Sequence, residues 1–280
     1  MQIVKTIEEV RAIVRAWREA GLSVGLVPTM GFLHEGHQSL IARSVADNDR
    51  TVVSVFVNPI QFGPTEDLEA YPRDIERDKA LVEATGGDLI FNPEPEEMYP
   101  PHFTTFVDTT ETTELLCGAR RAGHFRGVCT VVSKLFNIVG PDRAYFGQKD
   151  AQQLATVLRF VRDLNFNIEI VACPIVREED GLAKSSRNTY LSTEERKAAL
   201  VLSRSLRQAQ AAVENGERRA KVVVDIIADC LKQEPLARVD YIEVVDLDNV
   251  QRVEKIEENT LVAIAVYIGK TRLIDNFIWK

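Results

Sequence analysis

The sequence predicts an α/β fold. A doubly wound parallel sheet with helices on both faces comes first, and a smaller α+β domain with an antiparallel sheet follows it. Three observations carry this prediction. Short, apolar, β-branched segments recur through the first two-thirds of the chain, as strands buried on both faces do. Stretches of helical periodicity separate them. After about residue 183 the alternation gives way to helices followed by strands.

Taken in order, Ile7–Glu19 is an amphipathic helix, and residues 23–27 form the first expected strand. A glycine-bearing turn with His34 and His37 leads to a helix over 39–48, and strand 51–57 follows. Helix 74–85 stops at Gly86-Gly87, a plausible left-handed cap. Strand 88–91, the apolar helix 128–139 and strand 142–146 come next. Residues 151–164 set Leu154, Val157, Leu158, Val161 and Leu164 on one stripe, before strand 168–173. Beyond the hinge expected at 180–187, Ser192 with Glu194 and Glu195 opens a long helix to about residue 215. Helix 220–233 and strands 239–245, 261–268 and 272–278 complete the chain. The expected division is a Rossmann-like domain over 1–183 and an α+β domain over 184–280.

Composition narrows the classes. The 280 residues are 45% hydrophobic and 27% charged, typical of a soluble globular protein. No apolar run approaches the roughly 20 residues of a membrane span, and the first residues lack a signal-peptide core, so cytoplasmic residence is expected. A net charge of −8 argues against a nucleic-acid partner. The four cysteines are scattered with no CxxC pair, which speaks against a disulfide framework or a thiolate zinc site.

Five constellations carry chemistry. His34 and His37 share the first-turn face of a helix, where unpaired N–H groups and the helix dipole favour anions. Three readings stand: a metal pair lacking its third ligand, ordinary helix-start histidines, or a phosphate site, which Gly31 and Gly36 favour. Gly147-Gln148-Lys149-Asp150 lies at a strand end, where open parallel sheets bind ligands, although G-x-K-D also makes an ordinary helix start. Lys184-Ser185-Ser186-Arg187 offers hydroxyls and cations suited to a leaving pyrophosphate, or is a solvated linker capping the next helix. Gln61, within Asn58-Pro59-Ile60-Gln61-Phe62, suits a small polar substrate, although a loop glutamine is usually just solvated. Gly123-His124-Phe125-Arg126-Gly127 could receive a carboxylate. No Walker A run, GxGxxG or GxSxG appears.

Together these segments closely resemble the pantothenate synthetase family, the pantoate–β-alanine ligases of coenzyme A biosynthesis. The family belongs to the nucleotidyltransferase-like superfamily, with its histidine-pair motif. The resemblance runs from about Val27 to Leu191 and, less distinctively, through the C-terminal part. It implies an ATP-dependent ligase that activates (R)-pantoate as an acyl-adenylate before β-alanine attacks, releasing AMP and pyrophosphate. It also implies Mg2+ and a homodimer formed through the N-terminal domain, with the C-terminal domain as a lid.

Carried over residue by residue, Met30, Gly31, Phe32, Leu33, His34, Glu35, Gly36 and His37 would line the ATP triphosphate. His34 and His37 would stabilise the α-phosphate transition state. Gly147, Gln148, Lys149 and Asp150 would hold the nucleotide, with Lys149 on phosphate and Asp150 on ribose. Val176 would meet adenine through its backbone, and Lys184, Ser185, Ser186 and Arg187 would cover the phosphates. Gln61 and Gln153 would grip pantoate, and Gln61 also β-alanine, while Asp78 would be a Mg2+ partner. One departure stands out. The family usually has Met where this chain has Lys184, and often Gly where it has Thr189. Two other readings compete with the ligase: an adenylyltransferase that stops at an adenylated product, and a catalytically silent nucleotide-binding module.

Overall fold

The computed structural model describes residues 1–64 and 66–280. Two compact units are present. The first comprises Met1–Thr110, Arg121–Gln148 and Thr156–Pro174; the second comprises Glu111–Arg120, Lys149–Ala155 and Ile175–Lys280.

The first unit is built on a six-stranded parallel sheet. In chain order the elements are β1 (Gln2–Val4), α1 (Ile7–Glu19), β2 (Val24–Thr29), α2 (Glu35–Asp47), β3 (Arg50–Val55), α3 (Ile75–Thr85), β4 (Leu89–Phe91), the short α4 (Pro95–Met98), α5 (His124–Val139), β5 (Arg143–Gly147), α6 (Ala151–Asp163) and β6 (Glu169–Cys173). Their spatial order is β1-β4-β3-β2-β5-β6, and every pairing is parallel. The expected strands are β2 to β6. β1 has no sequence signal, because only Val4 of its three residues is buried. Val27, Val53 and Ile90 from the strands pack with Leu40 and Ile41 of α2 and Val82 of α3. α5 is buried on most sides, as its near-continuous apolar sequence requires. Thr6 and Glu9 form a reciprocal capping box at the start of α1, and Gly86 ends α3 in a left-handed conformation at φ +93°.

The strand order reverses at β2, which lies between β3 and β5. Open parallel sheets bind ligands at such a switch point. Here a proline stands where the two ladders of β2 diverge. Val24 accepts from Asp142 N on the β5 side, whereas Ser23 and Thr29 accept from Arg50 and Phe56 on the β3 side. Alternation then aims residues 24, 26 and 28 toward β5. Residue 28 is proline, which has no N–H to donate. The β2–β5 ladder stops at Leu26↔Ala144, while the β2–β3 ladder runs on to Thr29↔Val55.

In the second unit, α7 (Thr193–Ala198), α8 (Leu200–Glu214) and α9 (Ala220–Lys232) precede β7 (Ala237–Asp246), β8 (Thr260–Ile268) and β9 (Thr271–Trp279). These strands form an antiparallel sheet in the order β7-β8-β9. The single long helix expected from Ser192 is two helices. A tighter bond from Leu202 N to Ala199 O interrupts the regular ladder between them. Leu202, Leu206 and Val213 of α8 pack with Val223, Ile227 and Leu231 of α9 against Val262, Ile264 and Val266 of β8. All four cysteines are buried and none is in a disulfide. Among the described residues, no helix is long and apolar enough to cross a membrane.

Candidate active site

The histidine turn leaves the end of β2. Thr29 Oγ1 donates to Ser54 O (2.6 Å) and accepts from Gly31 N (3.2 Å), which ties the turn to β3. Gly31 (φ +83°) and Phe32 (φ +50°) are both left-handed. Glycine is required at 31, since a Cβ there would lie 2.8 Å from Val55 Cγ1 and 3.0 Å from Asp78 Oδ2. The strained Phe32 is held in place by α3. Asp78 Oδ2 accepts from Phe32 N (2.8 Å), Oδ1 accepts from Leu33 N (2.6 Å), and the Arg77 guanidinium lies 4.4 Å from the Phe32 ring. Asp78 is 1% exposed. Burial raises its carboxyl above the ordinary 3.8, against the pull of the two amides.

α2 begins at Glu35, four residues before the helix expected from apolar spacing, because His34 caps it. His34 Nδ1 accepts from Gly36 N (3.1 Å), and His34 N donates to His37 Nδ1 (3.3 Å). A ring nitrogen that accepts carries no proton, so each neutral imidazole is the Nε2–H tautomer. The two rings lie 4.1 Å apart, tilted by 42°. The outcome is a pair of Nε2–H donors at a helix N-terminus, an arrangement that suits a phosphate.

The turn after β3 presents Gln61. Asn58, itself 1% exposed, donates from Nδ2 to Gln61 Oε1 (3.0 Å) and to Gly127 O (3.1 Å). Tyr99 OH donates to Asn58 Oδ1 (2.7 Å). With Oε1 engaged in this way, the Gln61 amide nitrogen faces Met30, 3.1 Å from its sulfur. Gln61 thus offers donors, which suits a hydroxyl or carboxylate on a substrate. The roles of Asn58 and Tyr99 have no local signal, because these partners lie 41 residues apart. Burial pushes the Tyr99 phenol above its usual value.

In the turn at 123–127, expected to receive a carboxylate, the basic side chains meet protein groups. Arg126 lies over the Phe106 ring at 4.0 Å, and both His124 nitrogens meet protein atoms. The end of β5 passes through Gly147 into a 3-10 turn over Gln148–Asp150.

In the second unit, the Lys149 carbonyl accepts from Asn276 Nδ2 (2.9 Å). Gln153, half-buried, follows Gln152, whose amide binds Thr112, Leu115, Cys117 and Gly118 of the backbone. The segment from Val176 folds back on itself. Lys184 N donates to Val176 O (3.0 Å), and Arg177 bridges to Ala183. Ser185 Oγ accepts from Arg187 N (3.3 Å) and caps the 3-10 turn Ser186–Tyr190, in which Thr189 Oγ1 donates to Ser186 O (2.7 Å). The unusual Lys184 has a partner: its Nζ lies 3.9 Å from Glu178, which also meets Arg196 at 3.4 Å.

Met30, His34, His37 and Gln61 thus come together at the ends of β2 and β3 in the first unit. Lys149, Asp150, Gln153, Val176, Lys184, Ser185, Ser186 and Arg187 belong to the second. Among the described residues no group of three or more His, Cys, Asp or Glu side chains is placed to hold a metal. Asp78 does not fit as a metal ligand, since both oxygens are committed to backbone amides in a buried setting.

Comparison with known proteins agrees with this geometry. The family model described as pantoate-beta-alanine ligase matches residues 2–278. A pantothenate synthetase from Clostridium acetobutylicum is 59% identical over 280 residues, covering 100% of both chains. The crystal structure of pantothenate synthetase from Thermus thermophilus superposes with a TM-score of 0.93 at 46% identity, covering 99% of each chain. A pantoate-beta-alanine ligase from Francisella tularensis, complexed with beta-gamma ATP and beta-alanine, gives 0.83 at 33% identity, covering 99% of this chain and 97% of that one. With the family model, the sequence and the fold all matched along nearly the whole length, the chain belongs to the pantoate–β-alanine ligase family.

Proposed function

We propose that this chain condenses (R)-pantoate with β-alanine at the expense of ATP, through a pantoyl-adenylate. In the first step a pantoate carboxylate oxygen bonds to the α-phosphorus of ATP, the bond to the β-phosphate bridge breaks, and pyrophosphate leaves with its electron pair. In the second, the neutral amine of β-alanine bonds to the acyl carbon, AMP leaves, and the nitrogen gives up a proton to solvent. Activation is needed because oxide is a far worse leaving group than AMP.

One observation supports this reading above the rest: two histidines held by their Nδ1 atoms, each as the Nε2–H tautomer, at a helix N-terminus beside the switch point. Charge builds on the α-phosphate oxygens as the new bond forms, and fixed donors aimed there lower the barrier without reorganising. Met30, Gly31, Phe32, Leu33, Glu35 and Gly36 complete the phosphate turn. Lys149, Ser185, Ser186 and Arg187 supply charge and hydroxyls for pyrophosphate, and Lys184 adds a cation. Gly147, Gln148, Asp150 and the Val176 backbone hold the nucleoside. Gln61 and Gln153 take pantoate, and Gln61 also β-alanine. Mg2+ enters as part of the nucleotide substrate, bound by phosphate oxygens and water. The homodimer, the cytoplasmic setting and the domain division at 183/184 belong to the same proposal.

The test is pyrophosphate release with ATP and pantoate, with and without β-alanine. Wild type should release pyrophosphate with pantoate alone and AMP only once β-alanine is added. Adenylated product that never yields AMP with β-alanine would favour the adenylyltransferase reading. His37→Ala should lower the adenylation rate about 10²–10³-fold while the fold is kept. An undiminished rate in that variant sinks the role given to His37.

A further inference from the structure

In the first unit, the turn carrying Gln61 is gripped by side chains that none of these roles uses. Arg121 sets Nε and Nη2 on the two oxygens of Glu66, at 2.6 and 2.8 Å. Its remaining nitrogen, Nη1, lies 2.9 Å from His124 Nε2. A guanidinium only donates, so Nε2 meets it with a lone pair. His124 Nδ1 lies 2.9 Å from the Gln61 carbonyl oxygen, which only accepts. These two partners leave one arrangement, a neutral ring with its proton on Nδ1, donating to Gln61 O.

Two further contacts restrain the same turn. Glu66 Oε2 accepts from Gly63 N (3.2 Å), so the carboxylate that anchors Arg121 also holds the chain just beyond Gln61. One turn of α5 after His124, Gly127 lets the helix backbone touch the turn. A Cβ there would lie 2.5 Å from Ile60 O and 2.6 Å from Gln61 Cα. The Gln61 main chain is therefore fixed from α5, while its side chain is fixed separately by Asn58.

We propose that His124, oriented by Arg121 and Glu66, is a positioning residue that sets where the Gln61 amide donors stand for pantoate. This rests on the reading of Gln61 as the pantoate contact.

The experiment compares wild type with His124→Asn, His124→Leu and Arg121→Lys. Pyrophosphate release is measured with pantoate varied at saturating ATP and then the reverse, with a thermal melt of each variant. Asparagine keeps a side-chain N–H near the place of Nδ1, and leucine removes it. His124→Leu should raise the pantoate KM about tenfold while the ATP KM stays within about twofold. His124→Asn should return the pantoate KM to within about threefold of wild type. Equal pantoate KM values in the two His124 variants overturn the proposal, as does a parallel rise in both KM values. If His124→Leu melts below the assay temperature, Arg121→Lys decides: a raised pantoate KM with unchanged ATP KM supports the proposal, and an unchanged pantoate KM overturns it. Wild type that releases no pantoate-dependent pyrophosphate overturns the ligase reading itself, an outcome distinct from indifferent variants of an active enzyme.

Discussion

Two neighbouring turns, one after β2 and one after β3, are each tied down by a single carboxylate, and the two ties are of opposite electrostatic kind. Asp78 accepts from two neutral backbone amides in a buried setting, and desolvation prevails over them and over the nearby Arg77 charge, so its carboxyl titrates above the ordinary 3.8. Glu66 is also desolvated, but the fork of Arg121 outweighs that cost and holds its carboxyl below the ordinary 4.5. The histidine turn is thus fixed by hydrogen bonds that strain the acid, and the glutamine turn by an ion pair that relaxes it. A loop that must hold two imidazoles at one angle gains from amide contacts, because they fix direction as well as distance.

The largest break in this comparison is Asp78→Ala. It leaves two buried amides without acceptors and removes the support for a left-handed Phe32, which should cost about 3 kcal/mol in urea unfolding. Adenylation should slow as well, with no change in the Mg2+ concentration giving half-maximal rate. A weakened Mg2+ dependence would return Asp78 to the role of a metal ligand. Gly31→Ala attacks the same turn from its backbone. Positive φ and the approach to Val55 should together cost about 1–2 kcal/mol, read in the same unfolding experiment.

Acid titration sharpens the contrast. Just above pH 3.8 the folded chain retains the Asp78 proton that the unfolded chain has lost, so this group favours folding at low pH and less as pH rises. Glu66 works the other way: below pH 4.5 the unfolded chain takes up the proton first, and stability falls with pH. Glu66→Gln should therefore flatten the acid loss of stability, and Asp78→Asn should steepen it, in urea melts from about pH 3 to about pH 7. A shift of the same sign in both variants would refute the opposition. The smallest effect should come from Lys184→Met. Its ion pair with Glu178 is long and partly solvated, so stability should change by less than about 0.5 kcal/mol.

Much of this was legible in the chain itself. β2 to β6 announce themselves as apolar runs, and the three-residue spacing of His34 and His37 marks the start of a helix. What stayed hidden depends on partners far away in sequence. Asp78 meets amides 45 and 46 residues earlier, and nothing near it tells a loop anchor from a metal ligand. His124 stands in a basic, glycine-rich turn that looks built for an anion; its partners, Arg121 and the Gln61 carbonyl, show a different use. The start of α2 lies earlier than apolar spacing predicts because its cap is histidine, which is uncommon where Asp, Asn, Ser and Thr are the usual caps.

Pro28 acts on the sheet as a stop acts on a zipper. The β2–β5 ladder ends short of a residue that brings no donor of its own, a property that depends on no charge, water molecule or side-chain rotamer. Acid, which reaches the histidine turn through the Asp78 carboxylate, finds no ionisable group at this point. Any other residue at that position would bring an N–H toward β5, where it offers a further rung to the zipper.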